Sequence, residues 1–296
     1  PPPGPPYLNL GYEGDGGPPY GSGAWTVDHD VKIDPSRFYY RSANLKAASG
    51  DYAGGIDDYT RALSLTPDDP VLYDNRSLAE RNHGDFAAAI ADCSRAIGHN
   101  ANDTIAWIRR GETENLQGDP VDALRDFSQA LEIEPMNYWA FFGRGVTRQL
   151  QGEYADAIGD YGRAIDLQPN DSTAPRLYRE LLRRRVGSRD GDFAKTVIDW
   201  KDDWAKSEGE FVAGNSSEAA LLAAAVKGDE MGLPDRQGEA LYFIAMRRLL
   251  DGDNVGARDG FKKCLAAHRT ANPGYAFARA ELTQMNKVDP GTGIIP

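Results

Sequence analysis

Apolar and small positions return along this chain at a fixed interval. Gly50-Asp51-Tyr52 recurs as Gly84-Asp85-Phe86, Gly118-Asp119-Pro120 and Gly152-Glu153-Tyr154, each step 34 residues with no drift. A fixed period of this length marks a stack of identical supersecondary units. It divides the chain into units 36–69, 70–103, 104–137 and 138–171. Within each unit, large and small residues alternate at helical spacing on both sides of the glycine turn. The pattern therefore predicts a pair of antiparallel helices per unit and an all-α fold.

The columns have a physical reading. Tyr39, Tyr73, Trp107 and Phe141 fill one large aromatic position on the first helix. Ala43, Ser77, Gly111 and Gly145 lie four residues on, where a small residue lets the second helix approach. On the second helix Gly55, Ala89, Ala123 and Ala157 are the matching small positions, and Tyr59, Cys93, Phe127 and Tyr161 fill the space between units. Ala62, Ala96, Ala130 and Ala164 admit the next helix, and Pro67, Pro135 and Pro169 stop the second one, with Ala101 as the departure. Arg76, Arg110 and Arg144 share a first-helix column, and Asp58, Asp92, Asp126 and Asp160 share a second-helix column. These two ladders are expected to pair and fix how the helices dock.

This set of large and small positions closely resembles the tetratricopeptide-repeat (TPR) family over residues 36–171. The resemblance implies a right-handed TPR solenoid of antiparallel helix pairs that binds proteins or peptides and catalyses nothing. It also implies a concave groove lined by the second, fifth, sixth and ninth residues of each unit. Here those are Arg37, Tyr40, Arg41 and Asn44; Val71, Asp74, Asn75 and Leu78; Ile105, Ile108, Arg109 and Glu112; and Trp139, Phe142, Gly143 and Val146. Exposed Tyr, Trp, Phe and Arg together have the composition of a binding hot spot. The carboxylate clamp of some family members is matched at Asn44, Asn75 and Arg109, but Tyr40 and Ile105 replace its two lysines. An apolar or aromatic segment docking along Tyr40, Ile108, Trp139 and Phe142 is the better expectation.

Beyond residue 171 the pattern loosens. Residues 172–186 begin in phase as a fifth first helix, with the arginines at 183–185 expected on a solvated face. Stretches 192–206 and 217–227 predict two further helices, the first with Trp200 and Trp204 on one packing face. Leu241, Ala245, Gly252, Ala257, Phe261 and Cys264 recover the repeat order at 238–271, and 274–285 predicts a closing helix. The layout across 172–285 is similar to bacterial cell-envelope TPR lipoproteins, which implies an adaptor bringing substrates to an envelope protease. No cysteine stands near the N-terminus to carry the lipid.

Residues 1–35 differ in kind, with seven prolines and seven glycines in the first 24 residues. Such a composition cannot build a core and favours extended backbone. Tyr7, Tyr12, Tyr20 and Trp25 spaced along an extended arm suit docking in a groove, either of the same solenoid or of a neighbouring copy. The second alternative predicts a homo-oligomer or filament, since a head-to-tail contact that does not close propagates.

A formal net charge of -12 argues against nucleic-acid and anionic-membrane partners. The longest apolar runs, Ala219–Val226 and Ala240–Met246, are too short to span a bilayer. An opening on Pro1-Pro2-Pro3 is what signal-peptide removal leaves, and also what trimming leaves; the first predicts a secreted bacterial protein, periplasmic or extracellular. Cys93 and Cys264 are expected as small core residues. The histidines His29, His83, His99 and His268 stand at no metal-ligand spacing. Asp251 to Lys262 places lysine where a calcium loop needs its bidentate glutamate, so an ordinary turn is expected. No phosphate loop, nucleophile elbow or zinc helix occurs, so neither cofactor nor metal nor catalytic residue is expected. Asn75, Asn102, Asn170 and Asn215 match the glycosylation acceptor, which matters only in a glycosylating host.

Overall fold

A computed structural model describes residues 34–169, 172–188, 192–227, 233–267 and 273–288. The arm residues Tyr7, Tyr12, Tyr20 and Trp25 with the rest of 1–33, Asn170, His268 and the residues from 289 onward lie outside the described residues. The described residues form fifteen helices and contain no strand. The chain divides into two compact units, residues 1–101 and 102–296.

The first unit holds two helix pairs, α1 (Pro35–Ala48) with α2 (Tyr52–Leu65) and α3 (Pro70–His83) with α4 (Phe86–His99). Local chemistry sets their limits. Asp34, Asp51 and Asp69 accept hydrogen bonds from the backbone N–H groups of Ser36, Gly54 and Val71, and Pro35 and Pro70 open α1 and α3. Gly84 ends α3 at φ +100°, a conformation that costs a side-chain-bearing residue energy. Ala43, Tyr59, Ala62, Leu63, Leu72 and Ala79 form the core of this unit. The Tyr59 hydroxyl donates to Asn44 Oδ1 across the α1–α2 pair.

The second unit continues with α5 (Thr104–Gln117), α6 (Pro120–Ile133), α7 (Tyr138–Gln151) and α8 (Tyr154–Leu167). The small columns have the predicted function of close approach. A Cβ on Gly111 would stand 3.1 Å from the Phe127 ring, and one on Gly145 would stand 2.8 Å from Tyr161. Helix α9 (Thr173–Arg185) packs on α8. It is followed by α10 (Phe193–Ile198), α11 (Asp203–Ala213), α12 (Glu218–Ala225), α13 (Leu233–Leu250), α14 (Asn254–Ala267) and α15 (Pro273–Val288).

The predicted single helix at 192–206 is broken. Asp202 starts a new helix by accepting the backbone N–H of Ala205, so α10 and α11 are separate. Trp200 and Trp204 therefore do not share one helical face. Trp200 meets Phe193 edge-on at 6.1 Å, whereas Trp204 Nε1 donates to Glu239 of α13 at 3.0 Å.

The second departure concerns α15, which does more than close the stack. Arg279 donates to the Leu116 carbonyl at the end of α5, and Gln284 accepts from the Tyr154 hydroxyl at the start of α8. Glu281 pairs with Arg185 at the end of α9 at 2.6 Å. The last helix thus straps across the ends of three earlier ones, anchored by Phe277 and Leu282 in the core. This overturns the solvated reading of the arginine run, because Arg184 and Arg185 reach the buried carboxylates of Glu180 and Glu281. Cys93 and Cys264 are fully buried thiols. No helix among the described residues is long and apolar enough to cross a membrane.

Candidate protein-binding surface

The two charged ladders determine which side chains are left for a partner. Arg76, Arg110 and Arg144 each grip Asp92, Asp126 and Asp160 through two nitrogens, and the aspartates are buried. The same arginines lie over the aromatic column, Arg76 on Tyr73, Arg110 on Trp107 at 4.8 Å and Arg144 on Phe141. In the first repeat Ser42 replaces the arginine, and Lys46 supplies the charge for Asp58 at 2.6 Å. Burial pushes the Asp58 carboxyl up, but the Lys46 and Ser42 hydrogen bonds outweigh it, and the net displacement is downward.

One further column was missed by sequence reasoning. The eleventh residue of each unit is Lys46, Glu80, Glu114 and Arg148 in turn. The two cations bond the aspartate of their own repeat, Lys46 to Asp58 and Arg148 to Asp160. The two glutamates instead lie buried beside an arginine–aspartate pair that is already complete, 3.6 Å and 3.9 Å from Arg76 and Arg110. Burial, reinforced by Asp92, pushes Glu80 up to about 7, and burial with Asp126 pushes Glu114 up to about 8. The signal was available in the sequence as a change of charge sign within one column.

The residues named for the groove fall into two sets. In the first unit Arg37 and Arg41 are exposed and Tyr40 and Asn44 are half-buried on α1, while Asn75 of α3 is buried. Tyr40 packs toward the Tyr59 ring at 6.4 Å. The amides of Asn44 and Asn75 have internal work, since Asn44 accepts from Tyr59 and Asn75 Nδ2 donates to the Val71 carbonyl at 2.9 Å. In the second unit Ile108 and Arg109 are buried at 5% and 6% exposure, although the groove pattern expected them to face solvent. Ile108 joins Phe127 and Ala140 in a small core against which Trp139 packs. Phe142, half-buried, belongs to a row of near-parallel rings, 6.2 Å from Tyr138 and 6.2 Å from Tyr178. Tyr178 continues that row to Phe243 at 6.2 Å. The aromatics of α7 are thus largely absorbed into packing, whereas α1 presents its arginines outward.

One first-helix position keeps a large side chain exposed in three of the four repeats. The second residue of each unit is Arg37, Val71, Ile105 and Trp139. Arg37 is exposed, Val71 is 52% exposed, Ile105 is 45% exposed, and Trp139 is half-buried. The adjoining third residues Leu72, Ala106 and Ala140 are buried to 2% or less.

The TPR family model matches residues 40–104, 75–135 and 116–175. No curated protein matches in sequence. Among solved structures, a tetratricopeptide repeat protein from Parabacteroides merdae is 15% identical, covers 83% of this chain and 98% of its own, and superposes with a TM-score of 0.53. MamA, residue 41 to its end, from Desulfovibrio magneticus is 16% identical over 62% of this chain and 95% of its own, with a TM-score of 0.50. The first TPR domain of Spaghetti (RPAP3), bound to an HSP90 peptide, is 30% identical over 40% of this chain and 94% of its own, with a TM-score of 0.39. At such identities the first two are likenesses of fold. Through residues 40–175 the chain belongs to the tetratricopeptide repeat family.

Proposed function

We propose that this chain is a non-enzymatic scaffold that binds proteins or peptides through the exposed face of its first helices. The observation that carries this reading is the second first-helix position, exposed as Arg37 and Val71 in the first unit and as Ile105 in the second. A large residue recurs there with its side chain in or near water, one step from a column that is buried without exception in α3, α5 and α7. Folding alone gives no reason to keep Val and Ile half-exposed at a repeating position, whereas a partner surface does. In the first unit Arg37, Tyr40 and Arg41 add aromatic and cationic contacts from α1, which favours a partner segment that is apolar with acidic flanks. The commitments of Asn44 and Asn75 and the lysine losses at Tyr40 and Ile105 disfavour capture of a free C-terminal carboxylate.

The test is site-specific photocrosslinking of the full chain in extract from its source. A benzophenone amino acid is placed at Arg37 or Val71, and in a control at Leu65, a second-helix residue of the same unit that is 49% exposed. The reading expects one and the same protein attached at both first-helix positions and absent from the control. Equal labelling at Leu65, or different adducts at Arg37 and Val71, would refute it. Adducts that are all second copies of this chain would instead favour the homopolymer reading, with the adaptor role excluded.

A further inference from the structure

Helix α12 is apolar almost all the way round, reading Glu-Ala-Ala-Leu-Leu-Ala-Ala-Ala. A helix of that kind is expected to be buried on every side. Only Leu221 and Ala225 are buried, in the core shared with α11 and α13. The other side is open. Ala219, Leu222, Ala223 and Val226 are exposed, Leu222 by 40% and Val226, at the C-cap, by 56%. Their spacing of three, four and seven residues places them on one stripe of the helix. No charged residue interrupts the sequence between Glu218 and Lys227. A chain of net charge -12 repels another copy over most of its surface, and an uncharged apolar face is where two copies can meet.

We propose that the exposed side of α12 packs on the same side of α12 in a second copy, antiparallel about a twofold axis between residues 222 and 223. The order of side-chain sizes favours this occupant. Along the stripe the residues run small, large, small, large. About that axis position 219 faces 226 and position 222 faces 223, each pair being equidistant from it. Every large side chain then meets an alanine, Leu222 over Ala223 and Val226 over Ala219 of the other copy. A parallel pair would set large on large and leave the alanines facing a gap. Electrostatics favours the same arrangement. Antiparallel helices set the positive end of one macrodipole beside the negative end of the other. Glu218, gripped by Arg248, then lies at the same end of the pair as the exposed Lys227 of the other copy. Area sets the strength. One short helix offers far less than the roughly 800 Å² per partner of a standard interface, so the pair is reversible, with a Kd on the order of 100 µM. Being isologous, the contact closes at two copies, and it stands whether or not the first helices bind a different protein.

Sedimentation velocity of the full chain from about 5 µM to about 500 µM should show monomer passing to dimer and nothing larger. Ala223→Glu brings like charges together near the axis and is expected to weaken the dimer about tenfold or more. Mixing it with an equal amount of Ala223→Lys is expected to restore the dimer. Position 223 is exposed, so both variants keep the fold, and that recovery could not come from unfolded chains. Disulfide trapping reads the register. Ala223→Cys, close to the axis, is expected to crosslink with itself, and Ala219→Cys only when mixed with Val226→Cys. The native thiols Cys93 and Cys264 are buried and take no part. A chain that stays monomeric at the highest concentration would overturn the proposal, as would a dimer that Ala223→Glu leaves intact. Self-crosslinking of Ala219→Cys as fast as that of Ala223→Cys would overturn it too, by making the pair parallel.

Discussion

Replacing Arg185 by alanine tests whether the α15 strap is held by charge. The Arg185–Glu281 contact is 2.6 Å, between side chains only 20% and 6% exposed, and it joins residues 96 apart in sequence. Arg185 also covers the Tyr154 ring at 4.6 Å. Burial pushes the Glu281 carboxyl upward, and the Arg185 charge and hydrogen bond pull it back. Without the arginine the buried carboxylate has lost its counter-charge, and breaking such a pair costs about 3–5 kcal/mol. The chain can lessen that cost by protonating Glu281. In the variant the folded-state carboxyl is raised further above its ordinary 4.5, so the stability it retains is present below that value and lost as pH rises through the folded one. Urea unfolding should therefore show a loss of about 3 kcal/mol or more near pH 8 but about 1 kcal/mol near pH 5, where only the ring contact and packing are missing. Arg185→Ala with Glu281→Gln should recover most of the loss near pH 8. Hydrogen exchange would localise the weakening to α15. An equal penalty at both pH values, or no recovery in the double variant, would refute the reasoning.

The buried glutamates of the second and third repeats predict a pH dependence of the same sign. Glu80 and Glu114 titrate at about 7 and about 8 in the folded chain, against an ordinary 4.5. Their contribution is fully present below 4.5 and is lost as pH rises through those values, on the order of 3 kcal/mol for Glu80 and 5 kcal/mol for Glu114. Glu80→Gln with Glu114→Gln should flatten the urea midpoint between about pH 5 and about pH 8, and an unchanged slope would contradict the assignment. Gly143→Ala should destabilise by about 1–3 kcal/mol despite alanine's better helix propensity, because its Cβ meets the buried Phe127 ring; a gain in melting temperature would show that the ring can move.

Much of the repeat architecture was legible in the residues, and the reason is locality. A glycine or alanine column, an aromatic column and a turn glycine are read against neighbours three, four or 34 residues away, so Gly145 against Tyr161 follows from spacing alone. The pairing of Arg76, Arg110 and Arg144 with aspartates sixteen residues on was equally accessible. The groove residues were only partly so. Family positions name Ile108, Arg109 and Asn75, but whether a side chain meets water depends on what the next helices bring. Here Trp139 packs beside Ile108, and Asn75 turns to the Val71 carbonyl.

By itself, then, the sequence determined a 34-residue helical repeat over 36–171, its turns and its ion-pair ladders, because each rests on contacts of short sequence separation. Tertiary structure alone decided the path of α15, the pairing of Arg185 with Glu281, the reach of Trp204 to Glu239, and the depth of burial that raises Glu80 and Glu114. Those outcomes depend on burial and on charges delivered by other helices, in the case of Glu281 from 96 residues away, and no local pattern encodes them.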